Sequence, residues 1–533
     1  MLAQAGVGPA SPTMVQTLEA YDRVAGWVRV LTVPETALAP SAEGACVTLR
    51  RDGRVVGRGV AIGLGPETVA QAARLAIDDA RGALLNPVTS SEPEAIALIA
   101  SGLTVSVELA GAPVPIDAGT YNEITAGLLP GIDAVAVRLG AQTAAVFPLE
   151  MLATRQQAGR AASRLIGSLA GDAVTGLRQP AELIEGAGAG FFRLRTRAVS
   201  QLTPGSRPEL LARGGRVVEL ADVRIDRIRS QIESTAVHML ARHDAGLYLP
   251  MNDRSLEPPS DAARALAALA VQSAADQGLL DREQEREARL FVRRAITNIS
   301  SDKPVDAAAR AIAAVIAERA GDGTGSTALL APLLEAGGTE AARSAPIVAW
   351  AFAELGHAVQ AQDVLSRIRR VEHPGQLVSV MPWAGWASQR LGTEAEVSGG
   401  VALRQMREIV HGFQLTPADA GQENRDLVGG VVFTSGPVPL PTWQSARPWA
   451  FLASMLSDPR LTNQAERDAA VAHSIRAARF LIQLSAGEAE GHLYRDPQRA
   501  EGGVRAAVWD HAMPLEASAM VLLALVELEA SLR

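Results

Sequence analysis

The sequence predicts a multidomain protein: an N-terminal α+β domain over residues 1–225, then an all-α domain over 226–533 built as an α/α toroid of about six helical hairpins. Three observations carry this. The chain of 533 residues is too long for one ordinary core. Strand-like and helix-like patterns alternate as far as about residue 225, after which the strand signal nearly disappears and helical stretches follow one another. Six of the seven tryptophans (Trp350, Trp383, Trp386, Trp443, Trp449 and Trp509) fall in the helical part, so the two parts are filled by different side chains.

The first element is "GACVTLRRDGRVVGRGVAIG", which reads as strand, turn, strand. Val47 and Leu49 alternate with polar neighbours, and Asp52-Gly53 supplies the positive φ angles of a tight hairpin. No helix opens directly from its glycines, so it is not a phosphate cradle. "PETVAQAARLAIDDARGAL" places Val69, Ala72, Ala73, Leu75 and Ala76 at helical spacing. "LTVSVEL", "DAVAVRLG", "TAAVFPLE", "GFFRLRTRAVSQL" and "GRVVEL" are further expected strands. "ATRQQAGRAASRLIGSLAG" is an expected second helix ending at Gly171, and the glycine run in "EGAGAGFF" reads as a flexible link.

Beyond residue 226 eleven helical stretches occur, with "SVMPWAGWASQRLG" as a twelfth. The Ala/Leu-rich ones read as inner helices and those carrying Arg and Glu as outer ones, the arrangement of paired helices stacked in a ring or solenoid. "GLYLPMND" (Gly246 to Asp253) and "GVRAAVWD" (Gly503 to Asp510) share a G-x6-D spacing. Each precedes a proline-containing link and an Ala/Leu helix headed by Asp261 or Glu516. One such match near each end of the array is what a closed ring would show.

Composition removes several chemistries. Lys303 is the only lysine, so there is no P-loop G-x-x-x-x-G-K, and Schiff-base chemistry would rest on Lys303 alone. A net charge of -8 with no dense basic cluster argues against nucleic acid as a partner. Cys46, the single cysteine, excludes an internal disulfide and cysteine-rich zinc sites. His238 and His243 stand five apart, off the spacing that puts two ligands on one helical face. "SSDK" at Ser300 to Lys303 reads as a helix cap. No metal and no cofactor is expected. No apolar run spans a bilayer, and "MLAQAG" carries small residues such as precede a signal cleavage site, so the expected location is cytoplasmic, or exported where a leader has been removed.

Residues 45–200 resemble, by pattern, the AMMECR1 family. "CVTLRRDGRVVGRGVAIG" is similar to its F-V-T-L-x-x-x-G-x-L-R-G-C-I-G hairpin, "LTVSVEL" to its I-S-V-S-x-L strand, and "GFFRLRTRAV" to its last strand. The resemblance implies that family's small α+β fold. Val60 stands where the family cysteine falls, with one extra residue in the loop, so chemistry resting on that cysteine is not implied. "EGGVRAAVWDHAMPLEASAMVLLAL" resembles the end of the toroids shared by terpenoid cyclases, prenyltransferase β subunits and six-hairpin glycosidases. That likeness implies a fold and no single reaction.

The irregular insertion "ENRDLVGGVVFTSGPVPLPTWQSARPW" is rich in Gly and Pro, the composition of a functional loop in a helical array. It carries Asp426, Trp443, Arg447 and Trp449. With Trp383, Trp386, Trp509 and Tyr248 these are the candidate ligand-binding side chains, read either as stacking platforms for sugar rings or as core plugs between helices. Asp253, Asp426 and Asp510 are loop carboxylates. Asp510-His511 pairs a carboxylate with an imidazole, for proton transfer or as a hydrogen-bonded loop, and the four are the catalytic candidates. The expected function is a toroid cleft that binds, and as a glycosidase- or lyase-like enzyme cleaves, a carbohydrate or similar small polyhydroxylated ligand. The alternative is a non-catalytic interaction scaffold. Oligomeric state is not legible.

Overall fold

The computed structural model describes residues 11–85, 92–170, 179–299, 305–337, 344–371, 378–392, 399–432 and 439–533. The "SSDK" tetrapeptide, the "MLAQAG" start, the Gly171 helix stop and positions 433–438 of the insertion lie outside them.

The N-terminal part is an α+β unit around an antiparallel sheet ordered β2-β1-β3-β7-β5-β6, with short β4 and β8 also paired to β7. The strands are β1 (Gly44–Arg51), β2 (Arg54–Ile62), β3 (Thr104–Ala110), β4 (Val114–Pro115), β5 (Asp133–Leu139), β6 (Gln142–Val146), β7 (Gly190–Ser200) and β8 (Glu209–Leu211). The expected hairpin forms around Asp52 (φ 49) and Gly53 (φ 70). Period-two alternation sends Ala45, Val47 and Leu49 into one core with Val105, Val107 and Leu109. That core is closed by α1 (Met14–Arg29) and α2 (Thr68–Leu84). Helix α1 was not expected from the hydrophobic pattern, though its Thr13…Gln16 capping box is visible in the sequence. A second core lies under β5 and β6 against α4 (Tyr121–Ala126) and α6 (Ala158–Ala170); α3 (Pro93–Ser101) packs beside α1.

Three expectations are corrected. The second helix, α6, starts at Ala158 and not at Ala153, and the expected strand "TAAVFPLE" stops at Val146: Pro148–Thr154 forms a separate helix, α5, which Arg155 caps by turning left-handed (φ 52). The "EGAGAGFF" run is no flexible link: α7 (Pro180–Ala187) runs through Gly186, Gly188 caps it at φ 64, and β7 starts at Gly190. "GRVVEL" is not a strand. Its backbone bonds go to side chains of the helical part: Val218 N donates to Gln483 Oε1 (2.8 Å), and Val218 O and Arg216 O accept from Arg479 Nε (2.6 Å) and Gln483 Nε2 (3.0 Å).

All twelve expected helices form. The outer ones are α8 (Ile225–Arg242), α10 (Arg282–Ile299), α12 (Gly323–Glu335), α14 (Ala358–Val371), α16 (Gly399–Phe413) and α18 (Gln464–Leu484). Each precedes its inner partner: α9 (Asp261–Asp276), α11 (Ala307–Arg319), α13 (Ala345–Glu354), α15 (Trp383–Leu391), α17 (Ala446–Ser457) and α19 (Leu515–Leu532). Every inner helix packs on the next, and α19 packs back on α9, so among the described residues the six hairpins close into an α/α toroid. Outer α10 buries a single stripe, Ala288, Phe291, Val292, Ala295 and Ile299, whereas inner α19 is buried nearly all round, the burial that an Ala/Leu-rich helix with only three charged residues permits. The two G-x6-D segments meet at the closure. Strand β9 (Leu247–Leu249) pairs with β10 (Arg254–Leu256) on one side and β11 (Met513–Pro514) on the other, tying the ring's first hairpin to its last.

The sheet unit docks on one end of the toroid through buried polar contacts. Arg213 reaches Asp426 (2.5 Å) and Asn424 (2.6 Å), and Leu149 and Leu152 of α5 pack with Tyr248, Leu493 and Tyr494. The Asp52-Gly53 turn also lands there, with Asp52 O accepting from Arg495 Nη1 at 3.3 Å.

Candidate functional site

Most residues nominated from the sequence lie at this docking surface or in the ring's closure. Asp426, 1% exposed, is held by Arg213 through its carboxylate, and its carbonyl accepts from Arg479 (2.7 Å). Asp510 accepts from Arg155 (3.2 and 3.4 Å). His511 is buried, its Nδ1 3.0 Å from the Tyr494 hydroxyl, and burial beside Arg505 holds its pKa well below the usual imidazole range. Asp253 accepts from Tyr248 Oη (2.9 Å) and Arg499 (2.5 Å). Each carboxylate is therefore engaged by a different arginine, the pattern of groups that fix architecture. Trp449 is buried, stacked 5.9 Å from His411. Trp443 and Trp509 are half-buried against the ring core. Arg447, at the start of α17, is lowered by burial and supported by Glu516 at the start of α19.

Trp383 and Trp386 behave differently. With Trp350 they form an aromatic cluster, centroids 4.9 Å (350–383), 5.6 Å (383–386) and 6.2 Å (350–386) apart. Trp350 and Trp386 line a cavity of about 350 Å³ to which all six inner helices contribute, so it lies on the ring axis. Its polar lining includes Ser273, Arg319, Glu354, Gln389 and Glu527, each in the last turns of its helix. Six helix C-termini converge there with their carbonyl ends, and Arg390 lines the cavity as well.

Glu354 pairs with Arg319 at 3.9 Å. Glu527 is pushed up to about 7, chiefly by burial, with Arg319 opposing the shift and Glu354 adding to it. A carboxyl titrating near neutrality can give or take a proton at working pH, and a second carboxylate beside an aromatic wall is the complement that acid–base chemistry at a glycosidic bond requires. Among the described residues no group of three or more His, Cys, Asp or Glu side chains is placed to hold a metal ion. No helix among them is long and apolar enough to cross a membrane.

Glu354, Glu527 and Arg319 were not nominated because they sit in largely apolar helical runs, where Glu527 is one of two charges, with Glu529, within "MVLLALVELEASL". The available signal was that charge itself: on a helix apolar all round, an ionisable side chain faces a cavity or a partner.

No protein-family model matches the chain. No curated protein matches it either. Several solved structures show similarity, among them the following two. An uncharacterised protein from Pyrococcus horikoshii aligns over 37% of this chain and 95% of its own at 15% identity, with a TM-score of 0.23. A polysaccharide lyase aligns over 79% of this chain and 63% of its own at 13% identity, with a TM-score of 0.30.

Proposed function

We propose that the toroid binds a neutral, polyhydroxylated ligand of the carbohydrate class at the axial mouth where the inner helices end, and cleaves it there by acid–base chemistry. The cavity carries the proposal: it joins two carboxyls, one titrating near 7, to a tryptophan wall on the ring axis. Trp386 would offer its face to a sugar ring, Glu527 would protonate the leaving oxygen as the glycosidic C–O bond breaks, and Glu354, held by Arg319, would take a proton from a water whose oxygen bonds to the anomeric carbon. Arg319 is paired with Glu354 and the helix C-terminal carbonyls oppose Arg390, so the mouth offers no strong positive field to an acidic chain.

The chain is further proposed to consist of an AMMECR1-like unit to residue 225 and a toroid from 226, of the kind shared by terpenoid cyclases and six-hairpin glycosidases. The last strand of the N-terminal sheet ends at Leu211 and the first toroid helix starts at Ile225, in keeping with that division. The sequence-nominated residues Asp253, Asp426, Asp510, His511, Tyr248, Trp443, Arg447, Trp449 and Trp509 are then proposed to hold the ring closed and the two units together. The test of turnover is release of reducing ends from neutral oligosaccharides. E527Q and E354Q should each lower it by about a hundredfold or more, the scale of losing a positioned proton-transfer group. Wild-type rates in both variants would remove the carboxyls from the chemistry, and binding without turnover in the wild type would favour a purely ligand-binding toroid.

A further inference from the structure

The second face of the N-terminal sheet is polar, and it is sealed. Register puts Cys46, Thr48 and Arg50 of β1 on the face opposite Val47 and Leu49, with Arg58 of β2, Ser106 and Glu108 of β3 and Ser200 of β7 beside them. Such a face is ordinarily left to water. Here Arg50 is 2% exposed, Ser106 and Glu108 1%, and Ser200 is fully covered. The cover comes from α5, whose Leu149 N donates to Glu108 Oε1 (3.1 Å), and from the toroid segment holding His492 and Tyr494.

What the cover leaves bare is specific. Arg50 Nη1 donates to Ser106 Oγ (3.0 Å), itself 2.6 Å from Ser200 Oγ, but Arg50 Nη2 is buried without a partner. Glu108 Oε2 and Arg58 Nε are buried and partnerless in the same way. From the toroid side comes His492, also buried. Its Nδ1 lies 2.8 Å from Ala489 O and so carries the hydrogen, which leaves Nε2 an acceptor with nothing to accept. The Arg50 charge reaches this ring, one of the causes that hold His492 neutral with its pKa lowered to about 3. Glu150 pairs with Arg58 (3.5 Å) and Arg164 (2.6 Å), so Arg50 has no carboxylate of its own except Glu108, which burial pushes up to about 7. Burial also pushes the Cys46 thiol up, so it adds no thiolate.

A buried guanidinium N–H without a partner loses its hydration with nothing in return, and a buried imidazole acceptor without one adds to that cost. The unmet demand is for an anion that accepts from two arginines and donates one hydrogen to His492. We propose that this seam between sheet and toroid is a binding site for a small oxyanion that keeps a hydroxyl, the chemistry of hydrogen phosphate and bicarbonate. Its charged oxygens accept from Arg50 Nη2 and Arg58 Nε, and its hydroxyl donates to His492 Nε2.

The test uses the full chain, freed of phosphate and bicarbonate, in calorimetric and melting titrations near neutral pH. The probes are inorganic phosphate, bicarbonate and sulfate. Phosphate or bicarbonate should bind at one equivalent and raise the melting temperature. Sulfate has no hydroxyl to donate and should bind at least about tenfold more weakly. R58Q, at a half-exposed position and so expected to fold, should weaken the protonated anion ten- to a hundredfold or thereabouts. H492Q, whose amide can donate, should abolish the preference over sulfate. E527Q should change none of this, which separates the seam from the axial mouth. Absence of binding by both protonated anions at about 50 mM, or wild-type affinity in both R58Q and H492Q, would overturn the proposal.

Discussion

Glu527 and Glu108 are both carboxyls that burial pushes up to about 7, one at the toroid mouth and one in the seam. An unfolded glutamate titrates near 4.3, so between that value and about 7 the native protein holds more protons than the unfolded chain. Stability from these groups is fully present below the unfolded pKa and lost as pH rises through 7. Asp458, held low by its hydrogen bonds from Arg460, contributes with the opposite sign, its share being lost on acidification. Melting curves across roughly pH 5 to 8 should therefore be flatter for E527Q and for E108Q than for the wild type. Parallel curves would show that neither carboxyl is protonated more readily in the native state. Sequence could nominate Asp426 and Asp510 because loops attract attention. It could not show that Arg213 and Arg155, more than 200 and 300 positions away, take them up.

Elements were legible wherever a period repeats. The hairpin at Asp52-Gly53 and all twelve toroid helices follow from period-two or helical spacing plus turn residues. What escaped was any segment whose partner is distant: "GRVVEL" has strand composition, yet Gln483 and Arg479 of α18 satisfy its backbone. The hairpin turn shows how tightly such distant partners fit. Gly53 sits at φ +70, and a Cβ there would lie 2.0 Å from Tyr494 O. Gly53→Ala should lower unfolding free energy in urea by about 1–3 kcal/mol, through the left-handed backbone and the clash with the toroid. Gly63→Ala, also at positive φ but with nothing within 4 Å, carries the backbone cost alone and should lose less. Equal losses would show that the turn does not bear on the toroid.

The molecule as a whole is a ring closed by a three-stranded tie and docked on a sheet unit, whose Arg213 and Arg155 pair with Asp426 and Asp510. Arg213 and Asp426 are both buried, so removing one partner strands the other. Arg213→Ala should cost roughly 3–5 kcal/mol and expose the 212–224 segment to proteolysis, whereas a loss below about 1 kcal/mol would mean that the pair is dispensable for docking. The axial cavity lies toward the opposite end, where the inner helices end. The most direct measurement is the melting temperature of wild type, Trp386→Ala and Glu527→Gln with neutral and acidic oligosaccharides. Binding at the axial mouth predicts a rise with a neutral oligosaccharide in the wild type, retained in Glu527→Gln and largely lost in Trp386→Ala. An equal rise in Trp386→Ala, or a response to acidic oligosaccharides alone, would contradict a neutral carbohydrate site at this mouth.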